Sequence, residues 1–117
     1  MYKICTSEEQ SKKLIELGID VNTADMAYWK RSYRPNDYAI MVHYTKELQE
    51  GFEAKGIEYI PAWSLTALLS VLPSASLDNS DDHHFRLHCM EKFTEWHDNP
   101  IDACVAMIEK LNELNLL

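Results

Sequence analysis

Imidazole and carboxylate side chains are concentrated in one short segment of this sequence. Zinc and other divalent ions are bound by these side chains in proteins, so the segment is a candidate metal site. A metal site requires that they converge in the folded chain. The side chains concerned are those of Asp81, Asp82, His83 and His84, followed by His88, Cys89 and His97.

The local pattern argues against that convergence. Phe85, Leu87 and Cys89 alternate with Arg86 and His88, which is the period of a half-buried strand. On a strand, residues 84 and 88 share a face but stand about 13 Å apart at ~3.3 Å per residue, too far for one ion with ligand bonds near ~2.1 Å. A helix would bring them together. We therefore predict no metal and no cofactor; the candidate ligands of the metal hypothesis are His83, His84 and His88.

A second segment, residues 28–34, interleaves aromatic rings with cations. Rings offer stacking faces and cations offer phosphate partners, which is the combination found in single-stranded nucleic-acid sites. A strand with rings on one side and charges on the other has the same sequence for structural reasons, and its three cations compete with a negative chain. The segment is a candidate contact surface made of Tyr28, Trp29, Lys30, Arg31, Tyr33 and Arg34.

The sequence contains residue types that serve as nucleophiles, but they do not form a recognisable catalytic motif. Ser64 is placed to cap a helix, there is no GxSxG elbow, and with 3 glycines a phosphate-cradling loop is not expected. The adjacent carboxylates Glu8-Glu9 and Asp81-Asp82 are typical of a solvated surface. We predict no catalytic residue and no enzymatic activity. Three further aromatic residues are more typical of core or rim anchors than of a ligand cage: Tyr59, Trp63 and Trp96.

The chain is acidic, with 11 Lys and Arg against 19 Asp and Glu and a formal net charge of −8. The first half has 8 basic and 10 acidic residues, whereas the part from Pro61 onward has 3 basic and 9 acidic ones. This balance repels phosphate backbones and anionic membranes. We therefore expect a protein partner, which includes a second copy of the chain, and neither nucleic acid nor a membrane.

The cysteines indicate a reducing compartment. Cys5, Cys89 and Cys104 are an odd number at wide spacing, which is not typical of a disulfide framework, so we predict reduced and mostly buried thiols. No apolar run approaches the ~18 residues of a membrane helix, and the first residues lack the apolar core of a signal peptide. The expected location is the cytoplasm.

The chain has 117 residues, of which 46% are hydrophobic, so we expect one α+β domain over residues 1–117. Caps and apolar stripes predict three core helices. Thr6 with Glu9 forms a capping box for a helix over 7–17, and Gly18 ends it. Ser64 caps a helix over 64–72, and Asn99 before Pro100 begins a helix over 100–114.

The strands are expected to form one small, mostly antiparallel sheet from the regions of Tyr28, Ile40 and Phe85. Residues 24–33 and 38–44 are predicted to form a hairpin around a turn at 34–37. A short helix is predicted over 45–55, and the polar stretch 74–82 is predicted to be a loop. The helices near 7–17, 64–72 and 100–114 then cover the sheet.

Four blocks of the sequence resemble those of a known group of proteins. They are Cys5-Thr6 with Gln10–Leu14 and Leu17–Ile19; Thr23–Met26; Pro61–Leu65 with Leu72-Pro73; and Asp98–Ala103. In these blocks the chain resembles a family of small uncharacterised proteins encoded in prophages and other mobile elements of gut anaerobic bacteria. The motifs are helix caps, a prolyl helix stop and an amphipathic helix. The resemblance implies an intracellular bacterial protein and carries over no site residue.

The leading functional hypothesis is a non-enzymatic accessory protein of a mobile element that binds another protein, with a homodimer as one form. The first alternative is nucleic-acid binding through residues 28–34, or mimicry of nucleic acid by the acidic second half. The remaining alternative is a histidine-based metal-binding module.

Overall fold

The described part of the chain, which in this computed structural model comprises residues 3–30, 38–41, 46–81 and 84–117, contains four α-helices and six strands. The helices are α1 (Glu8–Glu16), α2 (Lys46–Lys55), α3 (Leu65–Val71) and α4 (Pro100–Glu113). The strands are β1 (Met26–Lys30), β2 (Tyr38–Met41), β3 (Tyr59–Ala62), β4 (Ser76–Asp81), β5 (His84–Cys89) and β6 (Lys92–Phe93). No helix among these residues has the length and apolar character needed to cross a membrane.

The α+β class is confirmed, as are the helices predicted over 7–17, 45–55, 64–72 and 100–114. The prediction of one sheet is wrong. β1 pairs with β2 and β3 in a first antiparallel sheet, whereas β5 pairs with β4 and β6 in a second. The Phe85 region pairs with its own neighbours in sequence, because two consecutive short connections satisfy both edges of β5. The turn predicted at 34–37 lies outside the described residues.

The predicted loop over 74–82 is also wrong, since most of it is strand β4. Its composition is poor for a strand, but an edge strand needs only backbone pairing and one buried side. Leu77 lies opposite Leu87 toward the core, and Asp78 lies opposite Arg86 toward solvent. The register therefore gives β4 one apolar pair and one pair of opposite charges.

The core is centred on α4, which packs on β5 and on α3. Seven of its residues are buried, and they form one stripe along the helix: Ile101, Ala103, Cys104, Val105, Met107, Ile108 and Leu111. As predicted, Asn99 caps the helix by accepting a hydrogen bond from the Asp102 amide, and Pro100 occupies the first turn. The first sheet joins the same core through Ala27 and through Trp63, the residue that follows β3.

The cap of α1 is one residue away from the predicted one. Ser7, not Thr6, accepts the hydrogen bond from the helix, and the reciprocal side chain is Gln10, not Glu9. Thr6 is fully buried, and its hydroxyl accepts from the Trp63 amide at 3.1 Å and lies 2.7 Å from Ser11 Oγ. The Thr6 hydroxyl is thus used to join the chain before α1 to the segment after β3.

The cap assignment is testable by two single substitutions. Ser7→Ala is expected to lower the free energy of unfolding by about 1 kcal/mol, because one helix amide loses its partner. Glu9→Gln is expected to cost no more than a few tenths of a kcal/mol, since only its attraction to the helix dipole is lost. Urea unfolding followed by circular dichroism measures both. A larger loss for Glu9→Gln would contradict the assignment.

A polar network ties the N-terminal segment to α4. The Asp102 carboxylate accepts from Lys3 Nζ at 2.9 Å, from Gln10 Nε2 at 2.8 Å and from Asn99 Nδ2 at 2.8 Å. Partial burial by itself raises the pKa of Asp102, but the hydrogen bonds from Lys3, Gln10 and Asn99 outweigh it and hold that pKa below its ordinary value of 3.8. The ionised form therefore stabilises the folded state.

The network makes stability depend on pH in a defined direction. Asp102→Asn is expected to lower the free energy of unfolding by about 1–2 kcal/mol at neutral pH, because it removes the charge from a partly exposed network of hydrogen bonds. Because the folded pKa is depressed, the difference is complete above the ordinary value of 3.8 and disappears as pH falls through the lower folded value. Urea titrations between neutral and acid pH measure it. Asp98→Asn, at an exposed neighbour, is the control and should cost little; a difference independent of pH would refute the role of Asp102.

Candidate functional site

One side of β5 packs against α4, and the opposite side forms the outward face of the second sheet. Phe85, Leu87 and Cys89 are buried against the core, as their alternation predicts. Successive side chains of a strand point to opposite faces, so His84, Arg86 and His88 lie on the outward face. Among the residues whose exposure the structure describes, the exposed large aromatic side chains, Phe93 and Trp96, lie at this face.

Four planar groups stack on one another across this face. The His88 ring lies on the Phe93 ring, with centroids 4.3 Å apart and planes 4° from parallel. The Arg86 guanidinium lies 4.5 Å from the centroid of Phe93 and 4.7 Å from that of Trp96. We call these four residues, His88, Phe93, Arg86 and Trp96, the planar stack.

The hairpin and the segment after it bring the stack together. Phe93 on β6 lies directly opposite His88 on β5. The chain then continues beside β5: the Thr94 amide donates to Leu87 O at 3.0 Å, and His97 and Phe85 exchange two backbone hydrogen bonds of 2.7 and 2.8 Å. Residues 94–97 therefore cover the rest of the β5 edge and place Trp96 beside Arg86.

The charge of Arg86 is paired within the sheet. Its Nε donates to Asp78 Oδ2 at 3.0 Å, from the opposite position on β4. Asp78 thereby orients the guanidinium, whose central carbon lies over the Phe93 and Trp96 rings. Each such cation–ring contact contributes about 0.5–1 kcal/mol at an exposed site. The rings are held in place, yet Phe93 and Trp96 each remain 44% exposed.

The tight turn next to the stack is strained. Cys89 pairs with Lys92, so Met90 and Glu91 alone form the turn, with φ of 51° and 63°. A two-residue hairpin turn of this kind is usually Asn-Gly, because both positions need positive φ. Met and Glu adopt it at a cost of about 1 kcal/mol or more each. The turn presents Met90, which is 46% exposed, at the end of the hairpin that carries Phe93.

The aromatic rings predicted as a contact surface are used for packing where the structure describes them. Tyr28 donates to Thr6 O at 2.8 Å and lies 3.5 Å from Cys5 Sγ; burial and then Cys5 raise the pKa of Tyr28 well above its usual range. The Trp29 ring stacks on Phe52 at 6.4 Å. Lys30 ends β1. The other members of that surface lie outside the described residues: Arg31, Tyr33 and Arg34.

The histidines of the metal hypothesis do not converge where they are described. His84 Nδ1 lies 2.7 Å from Asp81 Oδ1, whereas His88 belongs to the planar stack, with Arg86 between them on the same face of β5. His83 lies outside the described residues. Over residues 3–30, 38–41, 46–81 and 84–117, no group of three His, Cys, Asp or Glu side chains is placed to hold a metal ion.

The three thiols are free and buried, as predicted. Burial raises the pKa of Cys104, which lies inside the core, to about 12. Burial also raises the pKa of Cys89, whose Sγ donates to Pro73 O at 3.0 Å, and that of Cys5. All three therefore stay protonated at neutral pH, and a protonated thiol is not a nucleophile.

Comparison of the chain with protein-family models, curated proteins and solved structures gave no match. The planar stack is therefore interpreted from its own geometry. Sequence reasoning did not assign it, although two signals pointed to it: the alternation that places Arg86 and His88 on one face, and the suitability of Trp96 as a rim anchor. The missing signal was the turn, because Met90-Glu91 does not resemble a hairpin turn.

If the turn is strained, substitution by glycine should have opposite effects on the free energy of unfolding at two nearby exposed glutamates. Glu91→Gly is expected to raise the free energy of unfolding by about 1 kcal/mol, because glycine adopts positive φ without a Cβ clash. Glu95→Gly, the matched control, is expected to lower it by about 0.5–1 kcal/mol, because glycine adds chain entropy to the unfolded state. Thermal unfolding measures both. Equal destabilisation by the two changes would show that the turn is not strained.

Proposed function

We propose that this chain is a non-enzymatic protein–protein interaction module and that it binds its partner through the planar stack and Met90. One observation carries the proposal: two large rings, Phe93 and Trp96, both contact Arg86 and yet remain 44% exposed, and the turn of the same hairpin exposes a third large apolar side chain, Met90. Trp and Arg are the residue types most enriched among interface residues that dominate binding energy.

The geometry favours binding because these side chains are already ordered in the free chain, so that less side-chain entropy is lost when a partner binds. An immobilised flexible side chain costs about 0.5–1.5 kcal/mol on association. Here Phe93 is already fixed by His88 and Arg86, and Trp96 by Arg86. Burying the exposed remainder of each ring then contributes about 1–2 kcal/mol. A partner that covers the stack gains apolar burial with little loss of side-chain freedom.

The non-enzymatic part of the proposal is supported by how reactive side chains are used. The Ser64 hydroxyl accepts from the Ala67 amide as a helix cap and donates to the Asp25 carboxylate. The thiols of Cys5, Cys89 and Cys104 are buried and protonated. The Ser64 hydroxyl and the three thiols therefore contribute to helix capping and core packing.

The setting we propose is the cytoplasm of a bacterium, with the chain as an accessory protein of a prophage or other mobile element. The sequence blocks that resemble such proteins support this origin, and three buried free thiols are consistent with a reducing compartment. An unidentified second protein is the partner we propose, rather than nucleic acid or a membrane.

Affinity capture from cells that carry the gene tests the proposal. The full chain and its Ile15→Ala variant, which shortens an exposed apolar side chain on α1, are expected to capture the same protein. Trp96→Ala is expected to reduce capture at least tenfold, because it removes an exposed ring and loosens Arg86. Trp96→Phe, which keeps a ring, should recover part of it.

Two results would overturn the proposal. One is capture of the same protein by Trp96→Ala at the wild-type level, with circular dichroism showing that the variant is folded. The other is turnover of a substrate by the purified chain. The first result would place partner binding elsewhere than on the outward face of the second sheet, and the second would show that the chain is an enzyme.

A further inference from the structure

We infer that the partner docks on the planar stack with a segment that carries Lys or Arg side chains, one of which packs on Trp96 while others face the glutamates beside it. This inference rests on the proposed function and adds the chemistry of the occupant to it. It is carried by the exposed aromatic face together with the charges that border it.

Residues 94–97 separate two surfaces. On one side Trp96 contacts Arg86 in the planar stack. On the other side the segment and α4 enclose an open cleft of about 360 Å³. The cleft is lined by Glu95 and His97 from the segment and by Glu109, Lys110 and Glu113 from α4. A chain that crosses residues 94–97 would therefore pass from the Trp96 ring to the cleft that these carboxylates line.

Within the described part of the chain, the carboxylates of the cleft make no ion pair; they are those of Glu95, Glu109 and Glu113. Lys110, the cation among the described residues that line the cleft, donates to Phe93 O at 3.1 Å and so is directed at the hairpin. The half of the chain from residue 61 onward holds 9 acidic against 3 basic residues, so the wider field is negative as well. An approaching cation is attracted to this side of the molecule.

Charge complementarity selects a cationic protein segment over the other occupants of such a face. A second copy carries the same net charge of −8 and would set glutamates against glutamates. A phosphate backbone is repelled by the same field, and the only cation of the stack, Arg86, is paired with Asp78. Arg and Lys side chains, in contrast, combine an apolar stem or plane that covers an indole ring with a charge that faces carboxylates.

A random-peptide library panned on the immobilised full chain, with counter-selection on Trp96→Ala, tests the inference. We expect the enriched peptides to combine Lys or Arg with apolar residues. Their affinity, measured by fluorescence anisotropy, is expected to fall about 5–10-fold in the variant Glu109→Gln with Glu113→Gln. The matched control, Glu9→Gln with Glu16→Gln, removes two exposed charges from α1 and should leave affinity unchanged. Added salt should weaken binding to the wild type more than to the cleft variant.

Several outcomes contradict the cationic occupant. They are enrichment of acidic or uncharged peptides, no enrichment, and equal affinity for the cleft variant and the wild type. Trp96-dependent binding of an oligothymidylate, or Trp96-dependent dimerisation in sedimentation velocity, would assign the face to nucleic acid or to a second copy. If Trp96→Ala still abolishes capture from cells in these cases, the cationic occupant fails and the protein-binding face remains. If Trp96→Ala captures normally, both proposals fail.

Discussion

The burial of the apolar stripe of α4 is the constraint on which the rest of this structure depends. That stripe packs on β5, so Phe85, Leu87 and Cys89 have to face inward. The two-residue period of a strand then leaves Arg86 and His88 on the outward face, whatever their function. The helix that closes the core thus also determines which side chains the second sheet presents to solvent.

The outward face is built from interactions that are individually small. Stacking of a ring on a cation or on another ring contributes about 0.5–1.5 kcal/mol, and the exposed Arg86–Asp78 pair contributes at most about 1 kcal/mol. Set against them is the strain of Met90 and Glu91 in the turn. These terms nearly balance, so stability alone does not account for keeping Phe93 and Trp96 exposed in this arrangement. The binding role that we propose accounts for it, because a partner would bury the ring surface that the free chain leaves exposed.

Much of the fold was predictable because its signals are local. Asn99-Pro100 and Ser64 are caps whose bonding lies within one helical turn, and the alternation from Phe85 to Cys89 gave both the strand and its buried side. The division into two sheets was not predictable, because strand pairing is set by contacts between elements. β4 was missed for the same reason: its polar residues disfavour a strand until the register sets Asp78 against Arg86. The stack joins residues 86, 88, 93 and 96 through a turn without a recognisable sequence, so only the folded hairpin reveals it.

Amide hydrogen exchange of the full chain, alone and with its captured partner, tests most directly whether this face is where the protein acts. We expect slower exchange on complex formation in β5, β6 and residues 94–97, with the remainder of the chain nearly unchanged. Protection confined to the first sheet and α2, with the β5–β6 hairpin exchanging as in the free chain, would contradict it.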